Sequence, residues 1–211
     1  WTKDKTGAIG EISADFKNNK GLIGFQYEES GSIDSFAKNY WLNSDGSLHF
    51  VGWGRYTDSK GPGTRYSPYA KLSGTVGKLN WQAGLKYLET KESESEGYIT
   101  KFDSSGNPYI VREPKIDYGG RTYTVWLPTA GLSYSINENL EAYTSLGRTF
   151  QQPYSYMPLI NMYYALYDKF TKMGITLEDI FKEYKPEKTD NIDLGLRFRN
   201  NFIELYPTIF F

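Results

Sequence analysis

Residues 127 to 150, LPTAGLSYSINENLEAYTSLGRTF, decide the fold of this chain. In the first half of this stretch, apolar side chains such as Leu132 and Tyr134 alternate with small or polar ones. Asn137-Glu138-Asn139 then supplies side chains that tolerate the backbone angles of a tight reversal. The alternation resumes at Leu140. Two such runs around a short polar turn predict a β-hairpin with one apolar face and one polar face.

The same pattern recurs along the 211 residues and predicts an antiparallel meander of about eight strands. Short turns are predicted at about 18–21, 77–80, 137–139 and 200–201, and long connections at about 29–66, 89–121 and 151–188. Strands of about ten residues cross a bilayer when tilted, and outer-membrane barrels have short periplasmic turns and long outer loops. We therefore expect residues 1–211 to form an all-β transmembrane barrel or a part of one.

The composition fits this fold class and excludes several others. Aromatic residues make up 17% of the chain, glycine occurs 21 times, and the mean hydropathy is −0.58. These values suit a sheet protein whose apolar residues form a narrow band. The formal charge of −1 excludes a nucleic-acid partner held by a basic surface. The absence of cysteine excludes disulfides and Cys-ligated metals.

A soluble β-sandwich that binds carbohydrate through its aromatic residues is the main alternative from pattern alone. Such a sandwich also alternates apolar and polar residues, since one face of each sheet packs inside. Two features favour the membrane barrel instead. The long connections exceed the usual loop lengths of compact domains, and aromatic residues such as Trp81 and Trp126 cluster at strand ends, as in the interfacial girdles of barrels.

Three segments resemble the barrel of TonB-dependent outer-membrane receptors. LPTAGLSYSINENLEAYTSLGRTFQQP, residues 127–153, is similar to a family segment that reads P-x-x-G-L-x-Y, a turn, and N-L-x-x-Y-x-S-x-G-x-x-F-x-x-P. YKPEKTDNIDLGLRF, residues 184–198, resembles the following L-K-P-E-x-x-x-N-x-E-L-G-x-R segment. Residues 67–87 resemble an earlier hairpin and end in GLKY, where the family often has G-L-R-Y.

This resemblance implies a receptor in the outer membrane of a Gram-negative cell. Such receptors bind a scarce ligand outside the cell and import it through coupling to TonB. The resemblance implies a ferric siderophore as the first choice of ligand, and a cobalamin or a glycan as the alternatives. Outer-membrane lipid and lipopolysaccharide would surround the barrel. The family has a barrel of about 22 strands with an N-terminal plug and a TonB box, neither of which is visible here. A fragment of that barrel is therefore expected.

Two alternatives within the outer membrane stay open at this point. One is a passive porin or a small structural barrel, which needs neither a plug nor a TonB box. A complete eight-stranded barrel is supported by Phe211, with Ile209 and Leu205 in the same phase, because this pattern resembles the terminal assembly signal of outer-membrane proteins. Pro207 lies in that phase and weakens the signal.

No enzymatic site, cofactor or metal site is predicted. His49 is the single histidine, so neither a His-based triad nor a multi-His metal site can form within this chain. The acidic run at residues 89–96, ETKESESE, could attract a hard cation, but its lysines dilute the charge. We expect this run to be solvated. The chain is accordingly predicted to be a transporter and not an enzyme.

The third long connection is the best candidate for ligand binding. Residues 161–172 show helical spacing of apolar residues, and Thr176 is placed to cap a second short helix. Aromatic rings and an arginine in outer loops could grip a ligand by stacking and by pairing with an anionic group. The tyrosines could equally pack a small core within their own loop. The predicted ligand-binding residues are Trp53, Arg55, Tyr154, Tyr156, Tyr163 and Tyr164.

Overall fold

The computed structural model describes residues 4–31, 38–53, 56–152 and 157–211. Strands and helices are numbered in chain order. The strands in these ranges are β1 (Lys5–Phe16), β2 (Asn19–Ser30), β3 (Lys38–Leu42), β4 (Leu48–Trp53), β5 (Tyr56–Ser59), β6 (Gly63–Val76), β7 (Leu79–Lys91), β8 (Ser95–Phe102), β9 (Pro108–Arg112), β10 (Thr122–Asn137), β11 (Leu140–Gln151), β12 (Glu187–Arg199), β13 (Glu204–Leu205) and β14 (Thr208–Phe210). The helices are α1 (Met157–Ala165), α2 (Tyr167–Lys172), α3 (Leu177–Glu183) and a 3-10 turn (Pro114–Ile116).

The long strands form one antiparallel sheet in the order β1-β2-β6-β7-β10-β11-β12, and β13 and β14 both pair with β12. The predicted all-β meander is therefore confirmed. Each strand of the meander pairs with the next long strand through a short turn or across a long connection. Within the described residues, β1 forms no pairs with β13 or β14. The sheet is thus an open segment of barrel wall.

The two faces of this wall differ as the sequence alternation predicts. Large apolar side chains on one face are exposed, including Ile12 at 72%, Leu72 at 49% and Leu194 at 45%. No second sheet covers this face in the described part of the chain, which is unlike a β-sandwich. The opposite face is polar, and its side chains from Asp15 on β1 to Arg197 on β12 line one common depression. The polar face is therefore the concave one.

Aromatic side chains lie near both ends of the apolar face. Tyr87 and Trp126 pair across β7 and β10, with ring centroids 5.0 Å apart, toward the end that carries the long connections. Trp81 lies near the short-turn end, where its indole covers Gly74 on the neighbouring strand. A Cβ at Gly74 would collide with this ring and with the amide of Asn19. Two aromatic rows separated by aliphatic residues match the girdles of outer-membrane barrels.

The long connections contain more β-structure than the sequence indicated. The connection at 29–66 was expected to be a loop with local β-structure, and it holds the β3–β4 hairpin and β5. The connection at 89–121 holds β8 and β9, which the alternation did not predict. β5, β8 and β9 form a small three-stranded sheet of their own. This sheet joins two connections that are distant in sequence, so local patterns could not reveal it.

The last predicted strand, 202–211, is interrupted. β13 and β14 both pair with β12, but residues 206 and 207 lie between them outside any strand. Pro207 has no N–H to donate to a ladder, although its carbonyl still accepts a hydrogen bond from the Leu196 N–H at 3.1 Å. The first turn also differs from expectation. It contains Lys17 and Asn18, and Lys17 has the left-handed φ of 56°.

The third connection folds as three helices where two were expected. The helical pattern at 161–172 corresponds to α1 and α2, which are separated at Leu166 with φ −112° and ψ 21°. The predicted capping role of Thr176 is confirmed, because its side chain accepts a hydrogen bond from the Asp179 N–H. No helix in the described residues is long and apolar enough to cross a membrane.

The two faces of β12 can be distinguished by one substitution on each. Leu194→Arg, in the middle of the apolar face, should lower the free energy of unfolding by about 2–4 kcal/mol, because it places a charge in hydrocarbon. Asn191→Arg, on the polar face of the same strand, should change it by less than about 1 kcal/mol. Urea unfolding of the full protein in lipid vesicles measures both values. Equal losses for the two variants would contradict this assignment of faces.

Candidate functional site

Most buried apolar side chains of the described residues lie above the wall, and the exceptions are Leu88 on β7 and Val125 on β10. We call the assembly of β8, β9, the 3-10 turn and the three helices the cap. Its buried apolar side chains come from three separate stretches of sequence: Ile116, Tyr118, Ile160, Tyr163, Leu177 and Phe181. Tyr118 meets Phe181 edge-on, with ring centroids 4.8 Å apart. Because helix and loop residues share one core, the second and third long connections behave as a single folded unit.

Local sequence explains why α3 forms where it does. Thr176 and Asp179 make a capping box, in which the Asp179 carboxylate accepts hydrogen bonds from the Thr176 hydroxyl at 2.6 Å and from the Thr176 N–H at 3.0 Å. These hydrogen bonds, that of the Thr176 hydroxyl first, hold the pKa of Asp179 below its usual range. Leu177 and Phe181 lie one turn apart and are both buried. The capped helix therefore presents a fixed apolar face to the core.

Arg121 ties α3 to the wall. It lies just before β10, and its guanidinium donates to the carbonyl of Phe181, while Glu178 forms an ion pair with it at 3.7 Å. Its side chain is 13% exposed, so these contacts are largely shielded from water. Hydrogen bonds and ion pairs of a shielded arginine are stronger than exposed ones. Arg121 is thus an anchor that fixes the cap to the top of the sheet.

Glu92 is a second link between the wall and the cap. It follows β7 directly, and its two carboxylate oxygens accept hydrogen bonds from the Tyr118 hydroxyl and from the Gln152 amide. Burial and the hydrogen bond to Glu92 raise the pKa of Tyr118 far above its usual value, so the hydroxyl stays protonated and donates. Glu92 therefore joins the ends of β7 and β11 to the cap core.

Two other carboxylates of the acidic run, Glu94 and Glu96, pair with cations of neighbouring segments, and Glu89 accepts a hydrogen bond from the Tyr87 hydroxyl. Lys60 lies 3.8 Å from Glu94 and 3.6 Å from Glu96, and Arg112 binds Asp117 at 2.5 Å. Burial alone would raise the pKa of Asp117, but the hydrogen bonds from Arg112 and from the Gly97 N–H hold it below its usual range. No group of three or more His, Asp or Glu side chains in the described ranges could hold a metal ion.

An open wall with an apolar convex face, a polar concave face and a folded cap on its long-loop end matches one class of known proteins. The family model described as TonB dependent receptor-like, beta-barrel, matches residues 2–210. The chain belongs to this family. It thereby contains barrel wall of a TonB-dependent receptor, a family of the Gram-negative outer membrane. Membership of this family agrees with the predicted outer-membrane localisation and contradicts the alternative of a soluble β-sandwich.

Solved structures support the fold of this receptor chain. It is similar to the copper transporter OprC, with a TM-score of 0.59, 15% sequence identity, and coverage of 99% of this chain and 30% of the other. It is also similar to the ferric yersiniabactin uptake receptor FyuA from Yersinia pestis, with a TM-score of 0.55, 12% identity, and coverage of 99% and 28%. The chain therefore spans less than a third of the length of these receptors. No curated protein matches it in sequence.

The predicted ligand-binding residues of the receptor chain fall into different environments. Arg55, Tyr154 and Tyr156 lie outside the described residues, and Trp53 is described only as the last backbone position of β4. Tyr163 is 6% exposed and stacks on Phe170 within the cap core. Tyr163 thus has the packing role, one of the two that the sequence allowed.

Tyr164, the neighbour of Tyr163, is half-buried at the edge of the cap core. Its hydroxyl donates to the Glu113 carboxylate at 3.4 Å. The two adjacent tyrosines therefore point to different surroundings, since successive helical side chains lie on different sides of the axis. The predicted helical stripe did not indicate this, because Met162 and Leu166 in that stripe are 41% and 39% exposed while Tyr163 is buried.

Sequence reasoning missed the residues that join the cap to the wall. Tyr118, Arg121 and Glu92 carry no alternating or helical pattern, and their partners lie 26 or more positions away in the chain. The one local signal was the Pro at 114 after Glu113, a pairing that suits the start of a short helical turn. That signal indicates the 3-10 turn but not its burial against α3.

The anchoring role of Arg121 can be tested by hydrogen exchange. Arg121→Met keeps most of the side-chain volume and removes the donors to Phe181 and Glu178, so amides 177–183 should exchange at least tenfold faster. Lys182→Met, which removes an exposed ion pair with Asp179 on the same helix, should leave exchange within about twofold. Unchanged protection in Arg121→Met would show that the apolar core alone holds α3.

Proposed function

We propose that this chain forms part of the wall and the extracellular cap of a TonB-dependent receptor that captures a scarce ligand outside the cell and imports it. The observation that carries the proposal is the folded aromatic cap, anchored by Arg121 and Glu92 to the end of the wall with the long connections. In barrels of this kind the long connections face outward and the short turns face the periplasm. A capped mouth suits selective capture more than free diffusion.

The proposed ligand is a ferric siderophore, with a cobalamin or a glycan as the next choices. Trp53, Tyr154, Tyr156 and Tyr164 would offer ring faces and hydroxyls, and Arg55 would pair with an anionic group such as a siderophore carboxylate or a sugar acid. These residues belong to the first and third long connections. Tyr163 would support the site indirectly by holding the cap core together.

The proposed partners follow from the family. TonB would act through a plug domain, and outer-membrane lipid and lipopolysaccharide would contact the exposed apolar face. A passive porin would use the same wall without energy coupling. Ligand uptake by cells that contain the full receptor should therefore stop when TonB is deleted, whereas uptake through a passive pore would persist.

The aromatic site is tested by removing two rings together. Tyr154→Ala with Tyr156→Ala in the full receptor should weaken binding of the imported ligand at least tenfold, about 1.4 kcal/mol, because two stacking faces are lost. Equilibrium binding to purified receptor measures this change, and immunoblotting of outer membranes shows whether the receptor amount is unaltered.

Tyr109→Ala is the matched control for this experiment. Tyr109 is an exposed tyrosine of β9, 45% accessible and outside the proposed set. Its removal should leave ligand affinity within about twofold. Equal affinity of the double variant and the wild type would place the ligand contacts elsewhere in the receptor and refute the proposed aromatic site.

A further inference from the structure

A polar cavity of about 170 Å³ lies beneath the cap, on the concave face of the wall. Its lining comes from the upper ends of β1, β2, β6 and β7 and from the segments that follow β5, β7 and β11. Most lining side chains carry hydroxyl groups or charges, and the rest are largely glycine. Tyr164, the member of the proposed aromatic site whose side chain is described, does not line this cavity.

Two donor atoms in this cavity lack partners among the described residues although the atoms themselves are shielded from water. Thr90 is 7% exposed, and its hydroxyl has no hydrogen-bond partner among the described residues; the same holds for the buried Nε of Arg65. These two residues are direct cross-strand neighbours, paired in register between β6 and β7. Buried donors without partners are rare, since leaving one unsatisfied costs about 1–3 kcal/mol. Two of them side by side indicate a place for an oxygen-bearing ligand.

The charges of the cavity favour an anion. Lys5 and Lys91 line it and form no ion pair with any other described residue. Arg65 forms a salt bridge with Glu28 at 3.5 Å through one terminal nitrogen, which leaves its Nε without a partner among the described residues. The acidic lining residues are already engaged, because Glu28 accepts from Gln26 at 2.9 Å and both oxygens of Glu92 accept hydrogen bonds. Spare positive charge and spare donors therefore coincide.

We propose that this cavity binds a singly charged carboxylate that also carries hydroxyl groups. Among the described residues, three cationic and two anionic side chains line the cavity, an excess of one positive charge. A monoanion balances that charge, whereas the second negative charge of a phosphate dianion would exceed it and add to the repulsion from Glu28 and Glu92. The guanidinium of Arg65 matches a carboxylate in geometry, and the hydroxyl of Thr90 supplies a donor beside it. The inference rests on the proposed import function only in that such a ligand enters from outside.

Gluconate is a suitable probe, because it is a hydroxylated monoanion, and sorbitol is its neutral counterpart of equal chain length. Calorimetric titration of the full receptor should show binding of gluconate that is at least tenfold tighter than that of sorbitol or of inorganic phosphate. Arg65→Gln should weaken gluconate at least tenfold, and Arg65→Lys should weaken it less because the charge remains. Thr90→Val, which preserves shape, should weaken it severalfold.

Lys91→Gln and Lys101→Gln form a matched pair. Lys91 lines the cavity, and Lys101 is an exposed lysine of β8 away from it. Lys91→Gln should weaken gluconate binding at least threefold, and Lys101→Gln should not change it.

A wild-type receptor that binds none of the three probes, or binds all equally, would overturn the inference and indicate that the plug fills the cavity. If none of the probes binds but TonB-dependent uptake persists, the proposed function stands and the cavity proposal fails. If gluconate binds but no ligand is taken up, the cavity proposal stands and the proposed function fails.

Discussion

The antiparallel backbone ladder is the constraint on which the rest of this structure depends. Backbone polar groups inside a bilayer must pair with each other, so each strand fixes the next in register. A slip of one residue would exchange the apolar and polar faces of the whole strand. The register here keeps Leu196 opposite Ala142 on the apolar face and Arg197 opposite Glu141 on the polar face. The salt bridge between the latter two, at 2.9 Å, agrees with that register.

Two tyrosines on the concave face reinforce the ladder across three strands each. Tyr69 on β6 covers Gly24 on β2, and its hydroxyl donates to Glu11 on β1 at 2.5 Å. Tyr143 on β11 covers Gly195 on β12, and its hydroxyl contacts that of Thr208 on β14. A Cβ at either glycine would collide with the ring above it. Glycine is therefore required there by close approach of a ring and not by backbone conformation.

A cation accompanies each of these rings. Lys86 lies 5.9 Å from the ring centroid of Tyr69, and Arg197 lies 4.5 Å from that of Tyr143. Cation–π contacts of this kind contribute about 0.5–1 kcal/mol each where they are exposed. The polar face is thus an ordered network whose side chains brace neighbouring strands. Such a braced wall gives the cap a rigid base, to which Arg121 and Glu92 attach it.

The sequence by itself determined the wall. Alternation in residues 127–150 and in the similar runs predicted the long strands of the wall, their two faces and the approximate positions of the short turns. It could do so because the period of a strand is local and each face of the wall has one kind of environment. The motifs at 127–153 and 184–198 predicted the family in the same way. Thr176 and its neighbours predicted a capped helix, since capping depends on residues within one turn.

Tertiary structure alone decided the cap, its anchors and the polar cavity. Tyr118 meets Phe181, and Arg65 lies beside Thr90, because the fold brings distant segments together, and no local period encodes those contacts. The same holds for the pairing of β5 with β8. Which tyrosine packs a core and which faces outward depends on what lies opposite each ring. The sequence carries the aromatic residues, and only the assembled loops assign their roles.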